Sequence, residues 1–185
     1  MQRYPRLSIF FHWLIAILII GAFTLGSFMT DMKMSPSKLQ YYAWHKWLGV
    51  SILGLVALRL LTRLFSGAPT YPTSMKKWET QLANATHLFL YVLMFAVPLS
   101  GYFYTSAAGI PVVYFKLIQL PTFIGPNPEL KPILKDLHEM LTTILLVVVS
   151  LHVAAALKHL FKCDTHCALA GVQLCNGSQR WKCNR

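Results

Sequence analysis

The sequence is short of charge, and of negative charge most of all. Only 12% of its residues are Asp, Glu, Lys or Arg, and the acids number 6. Soluble domains carry about 25% charged residues, so this chain cannot clothe a water-facing surface of ordinary polarity. Cysteine is missing from the whole apolar body. Cys163, Cys167, Cys175 and Cys183 all fall near the C-terminal end, so no disulfide staples the apolar segments together. There is no internal repeat and no low-complexity tract, and the length of 185 residues fits one domain.

What the chain has instead is apolar length. Hydrophobic residues make up 55% of it, gathered into four runs that can each cross about 30 Å of hydrocarbon at roughly 1.5 Å per residue. The runs are residues 7–29, 45–65, 83–104 and 138–161, flanked by polar or turn-forming residues such as Asp31, Lys33, Gly67, Pro69, Gly125 and Pro126. A fifth apolar patch, residues 110–124, contains Lys116 and Pro121 and is too short to span, so it reads as a loop at the membrane interface. The first run resembles a signal peptide only in position. It is too long, contains His12 and Trp13, and is not closed by a small-x-small cleavage site, so it is expected to stay.

The formal charge of +11 does not point to nucleic acid, because Lys and Arg cluster at the ends of the apolar runs, where topology signals sit. One side collects Arg3, Arg6, Arg59, Arg63, Lys76, Lys77, Lys158, Lys162 and the tail residues Arg180, Lys182 and Arg185; the other has Lys33, Lys38, Lys46, Lys116, Lys131 and Lys135. The first side is richer and holds the short, charge-dense loops, which predicts a multi-pass protein with both termini cytoplasmic. The fold class expected is all-α, an integral membrane four-helix bundle embedded in lipid.

Ionisable side chains inside a bilayer are costly and mark function. His12, His45, His87, His138, His152 and His159 all lie on the predicted helices, and only His166 falls in the tail. One such histidine is readily explained by a hydrogen bond to a neighbouring helix; six are not. His138 and His152 are fourteen residues apart, close to four turns, so they share a face about 21 Å apart along the helix. One histidine thus lies toward each side of the membrane, which suits two stacked haems b, each bridged between the fourth helix and another. Bis-imidazole ligation closes the iron and favours electron transfer over oxygen binding. By depth His45 pairs with His138, whereas His152 pairs with either His12 or His87. His159 lies further along, near the interface, as a haem propionate or quinone contact. Arg59, roughly four turns after His45, sits where a haem would present propionates; snorkelling to the interface explains it too. Gly49, Gly54 and Gly101 allow close approach of a macrocycle or a helix, and Pro98 is expected to kink the third helix.

These residues, taken in order, resemble the bacterial cytochrome b561 family of di-haem inner-membrane proteins. The likeness runs from Arg6 to Lys162 through Phe11-His12-Trp13, His45-Lys46-Trp47-Leu48-Gly49, Arg59 to Arg63, His87 to Tyr91, Pro98 to Gly101, Leu137-His138-Glu139 and His152 to His159. The resemblance implies haem b ligation by His45 with His138 and by His12 with His152, which leaves Arg59, His87 and His159 as propionate or quinone contacts. It also implies a ubiquinone partner and residence in the bacterial inner membrane. Members include a superoxide oxidase, which passes the electron of periplasmic superoxide to quinone, and the outer lysines would attract that anion. Other members carry electrons for different donors, so the alternative is a non-catalytic anchor subunit for a partner redox protein. A transporter relaying protons through its histidines would be colourless.

The tail departs from the resemblance. Residues 163–185 hold all four cysteines in a spacing that matches no standard zinc finger, and they are expected to lie in the cytoplasm outside the fold of residues 1–162.

Overall fold

The computed structural model describes residues 6–66 and 77–169, with the backbone alone for Ser66 and residues 159–169. Four helices dominate it: α1 (Arg6–Asp31), α2 (Pro36–Ser66), α3 (Lys77–Ala107) and α4 (Leu130–Leu169). Each contains a stretch long and apolar enough to cross a membrane: Arg6–Asp31, Pro36–Phe65, Lys77–Ala107 and Leu130–Lys158. The surface agrees. Phe10, Ile17, Leu64 and Leu151 are among many large apolar side chains left exposed, whereas the buried apolar set is small. In water this would be uncovered surface; in a bilayer it is the face that lipid covers. The hydroxyls of Thr24, Thr86, Thr105, Thr142 and Ser150 each donate to the carbonyl four residues back, so none is left unsatisfied against hydrocarbon.

The helices overrun the apolar windows read from sequence. α2 begins at Pro36 rather than His45, α3 at Lys77 rather than Ala83, and α4 at Leu130 rather than His138. Hydropathy marks where hydrocarbon begins; caps decide where a helix begins. Ser35 caps α2 by accepting the Lys38 N–H on Oγ at 3.2 Å, with Pro36 next to it. Asn127 does the same before α4, its Oδ1 accepting the Glu129 and Leu130 N–H groups at 3.0 Å each. At its other end α4 runs to Leu169, through Cys163, His166 and Cys167 of the expected tail. Cys175 and Cys183 lie outside the described residues.

Two compact units divide the helices between them. The first holds α1, α2, α3 from Tyr91 onward and α4 up to Ile144; the second holds α3 up to Leu90 and α4 from Leu145. The core of the first unit is Ile15 on α1 with Ile52 and Val56 on α2, padded by Phe11, Leu18, Leu55, Tyr91 and Phe95. α3 runs through Pro98 and ends at a Schellman turn, Gly109 (φ 73°) donating to Ser106 O at 2.9 Å and Ile110 to Thr105 O at 3.1 Å.

The segment after that turn, expected as a plain loop, contains a small hairpin. β1 (Val113–Tyr114) pairs antiparallel with β2 (Ile118–Gln119), Val113 facing Gln119 and Tyr114 facing Ile118. Phe115 (φ 47°) and Lys116 (φ 61°) take left-handed backbone without being glycine. That strain of about 1–3 kcal/mol per residue is held by contacts with α2. Trp47 donates Nε1–H to Val113 O at 2.8 Å and stacks on Phe115 at 4.9 Å between ring centres, and the Ser51 and Tyr114 hydroxyls are 2.9 Å apart. The hairpin is thereby pinned to the helix turn that carries His45.

Candidate functional site

In the first unit α2 and α4 bring His45 and His138 together, with 6.2 Å between ring centres and 88° between ring planes. Their outer nitrogens are both committed. His45 Nδ1 lies 3.0 Å from Ala22 O on α1. His138 Nδ1 lies 3.0 Å from Val97 O on α3 and 3.0 Å from Ser100 Oγ, whose own hydroxyl donates to Val97 O at 2.8 Å. A carbonyl only accepts, so both rings carry their proton on Nδ1 and keep the Nε2 lone pair for another partner. Tying the far nitrogen in this way is how proteins orient imidazole ligands of metals. Two metal–nitrogen bonds of about 2.0–2.1 Å plus the two ring radii require about 6 Å between ring centres. The donor set and the spacing fit a bis-imidazole iron.

Both rings occupy room left by a missing Cβ. A side chain on Gly101 would place its Cβ 2.9 Å from His138 Cε1, and one on Gly26 would come within 3.2 Å of His45 Cε1. Of the glycines singled out from sequence, Gly101 is approached closely, while a Cβ added at Gly49 or Gly54 would meet no neighbouring group within 4 Å among the described residues. Gly26, Ala22, Val97 and Ser100 were not foreseen. Carbonyl acceptors leave no mark in a sequence, and Gly26 looks like any small residue of a membrane helix.

The second unit pairs His87 on α3 with His152 on α4, their ring centres 5.4 Å apart and their planes at 73°. His12, in the first unit, has a different partner: Arg59 Nη1 donates to its Nδ1 at 2.7 Å. A guanidinium cannot accept, so this imidazole holds its own proton on Nε2. His12 also meets the neighbouring Trp13 edge-on at 5.5 Å. One turn beyond Arg59, the Arg63 guanidinium lies 5.9 Å from the centre of the Tyr91 ring. The side chain of His159 lies outside the described residues. Among the lysines expected on the outer side, Lys38 donates to Met32 O at 2.6 Å and Lys135 pairs with Glu139 at 3.0 Å, whereas Lys33, Lys116 and Lys131 are exposed.

Four membrane-length helices with paired imidazoles are the parts that a membrane cytochrome b requires. A family model described as prokaryotic cytochrome b561 matches residues 3–166. The chain therefore belongs to the prokaryotic cytochrome b561 family, whose members bind haem b and transfer electrons in bacterial membranes. Cytochrome b561 homolog 2 of Escherichia coli is 32% identical over 167 residues, covering 86% of this chain and 86% of that protein. The probable superoxide oxidase CybB of Yersinia pestis is 30% identical over 162 residues, covering 85% and 89%. Cytochrome b561 homolog 1 of Escherichia coli is 25% identical over 162 residues, covering 86% and 90%.

Proposed function

We propose that the protein is a di-haem superoxide:ubiquinone oxidoreductase of the bacterial inner membrane, with both termini cytoplasmic. The observation that carries the haem assignment is the His45–His138 pair, 6.2 Å between ring centres with each Nδ1 on an acceptor and each Nε2 left as a ligand. These two hold the haem on the outer side. His152 holds the other with His12, the partner that the family resemblance implies. A second reading replaces His12 by His87, which stands beside His152 with 5.4 Å between ring centres, so that the two rings would have to part to about 6 Å to hold an iron. His12→Ala and His87→Ala, each followed by a haem count, separate the two: the variant that loses a haem has lost the ligand. His87 or His12, whichever is not a ligand, and His159 are then left for propionate or quinone contact.

Bound haem b supplies a one-electron carrier. The chain's own part would be to hold each haem iron through paired imidazoles, which favours electron transfer over oxygen binding, and to keep the site dry between apolar helices. The net reaction balances as two superoxide and two protons with one ubiquinone, giving two dioxygen and one ubiquinol. Lys33, Lys116 and Lys131 supply exposed positive charge toward the donor side, and the relative named as a probable superoxide oxidase makes this donor the preferred one.

The test is a steady-state assay of purified protein with a superoxide source and a soluble ubiquinone, no other protein added. Quinone reduction that stops when superoxide is removed is expected. A red protein with reducible haems and no turnover would contradict the enzyme and leave an electron-carrying anchor subunit for a partner redox protein.

A further inference from the structure

Arg59 and Arg63 stand four residues apart on one face of α2, half-buried within a stretch long and apolar enough to cross a bilayer. Neither has an ion pair among the described residues. Arg59 gives Nη1 to His12, and Arg63 lies over the ring of Tyr91. The Tyr91 hydroxyl is buried with no hydrogen-bond partner among the described residues, on a ring that packs against the Ile15, Ile52 and Val56 core. Two guanidiniums without a counter-anion and an orphaned hydroxyl in one neighbourhood of the first unit are costly inside a membrane. Together these donors suit a ligand that is anionic and accepts hydrogen bonds.

We infer that Arg59, Arg63 and Tyr91 form a carboxylate niche that receives the propionates of the haem on the side where α1 begins. The inference rests on the reading that a second haem is bound there. Guanidinium forks bind carboxylates bidentately, and a phenol adds one short donor bond. A lipid phosphate has the same acceptor chemistry. It suits the buried Tyr91 hydroxyl poorly, because that group lies against core side chains rather than at a helix surface. A cofactor carried between the helices brings two carboxylates with it. Tyr91 then acts as a positioning residue for the haem rather than as a ligand.

The test uses the full chain, purified with its haems, as wild type, Arg59→Gln, Arg63→Gln, Arg63→Lys and Tyr91→Phe. Haem content is counted, both haems are titrated electrochemically, and redox-difference infrared spectra are recorded. In Arg63→Gln the midpoint of one haem is expected to fall, since removing a positive charge favours the oxidised form; Arg63→Lys restores most of the shift. Tyr91→Phe is expected to keep both haems and displace one propionate carboxylate band. Midpoints and carboxylate bands identical to wild type in Arg63→Gln and Tyr91→Phe, with full haem content, would overturn the niche. Shifts that appear only when anionic lipid is added back would also overturn it, by assigning the guanidiniums to headgroups. A wild-type ratio of one haem per chain would instead remove the di-haem reading beneath it.

Discussion

His45 and His138 differ from His12 in what holds the outer ring nitrogen, although all three lie half-buried in the same unit. Backbone carbonyls of Ala22 and Val97 hold the first two, whereas the Arg59 guanidinium holds the third. A carbonyl forces the proton onto Nδ1 and leaves the Nε2 lone pair for another partner; a guanidinium forces the reverse. The residue type is the same in both places. What differs is the neighbour, and the neighbour sets which nitrogen has a lone pair to offer. For His12 to ligate iron through Nε2, Arg59 would have to leave its Nδ1, as it would on turning to the proposed carboxylate niche.

The largest effect should come from breaking the carbonyl-held pair. His138→Ala and His45→Ala each should drop the pyridine haemochrome from two haems per chain to one; an unchanged ratio in either would mean that the pair is structural. Next comes the room around the rings. Gly101→Ala puts a Cβ 2.9 Å from His138 Cε1, nearer than real side chains tolerate, so the imidazole must tilt. Most of the outer haem should be lost, with the other spectrum retained. Gly26→Ala, at 3.2 Å from His45, should lose less, and Gly21→Ala, which meets nothing within 4 Å, should lose none. Equal losses in all three would point to general packing damage.

A smaller effect is expected from Ser100→Ala. Val97 O still receives the His138 N–H, so only one of two outer-shell bonds goes. Haem transfer to apomyoglobin should quicken by a factor at the low end of the roughly 10–100-fold seen for such partners. The smallest is electrostatic. Changing Lys33, Lys116 and Lys131 together to Gln should lower the rate of superoxide capture at low salt and flatten its salt dependence, since the field is screened over about 8–10 Å at physiological ionic strength. An unchanged low-salt rate with both haems present would argue for a protein donor or a quinol.

The four spans were legible in the sequence because hydrocarbon thickness imposes a minimum apolar length on any helix that crosses it. Their ends were not, because Ser35, Asn127 and Gly109 act through capping bonds outside the apolar windows. The hairpin was invisible for another reason: Phe115 and Lys116 take backbone usually given to glycine, so no turn signature marks it. Histidine depth was enough to align His45 with His138, since spacing along a helix is fixed. It could not choose between His12 and His87, which depend on how far each helix is rotated and what each ring meets. Arg63 and Tyr91 entered only as one of a basic cluster and the end of a matching stretch, because a terminal arginine and a core tyrosine are ordinary until the guanidinium is seen over the ring.

The haem-to-polypeptide ratio of purified wild-type protein and of His138→Ala, measured side by side as pyridine haemochrome, tests the account most directly. Two haems per chain in the wild type and one in the variant, with the remaining haem still low-spin and reducible, is the predicted result. One haem in the wild type, or two in the variant, would contradict it.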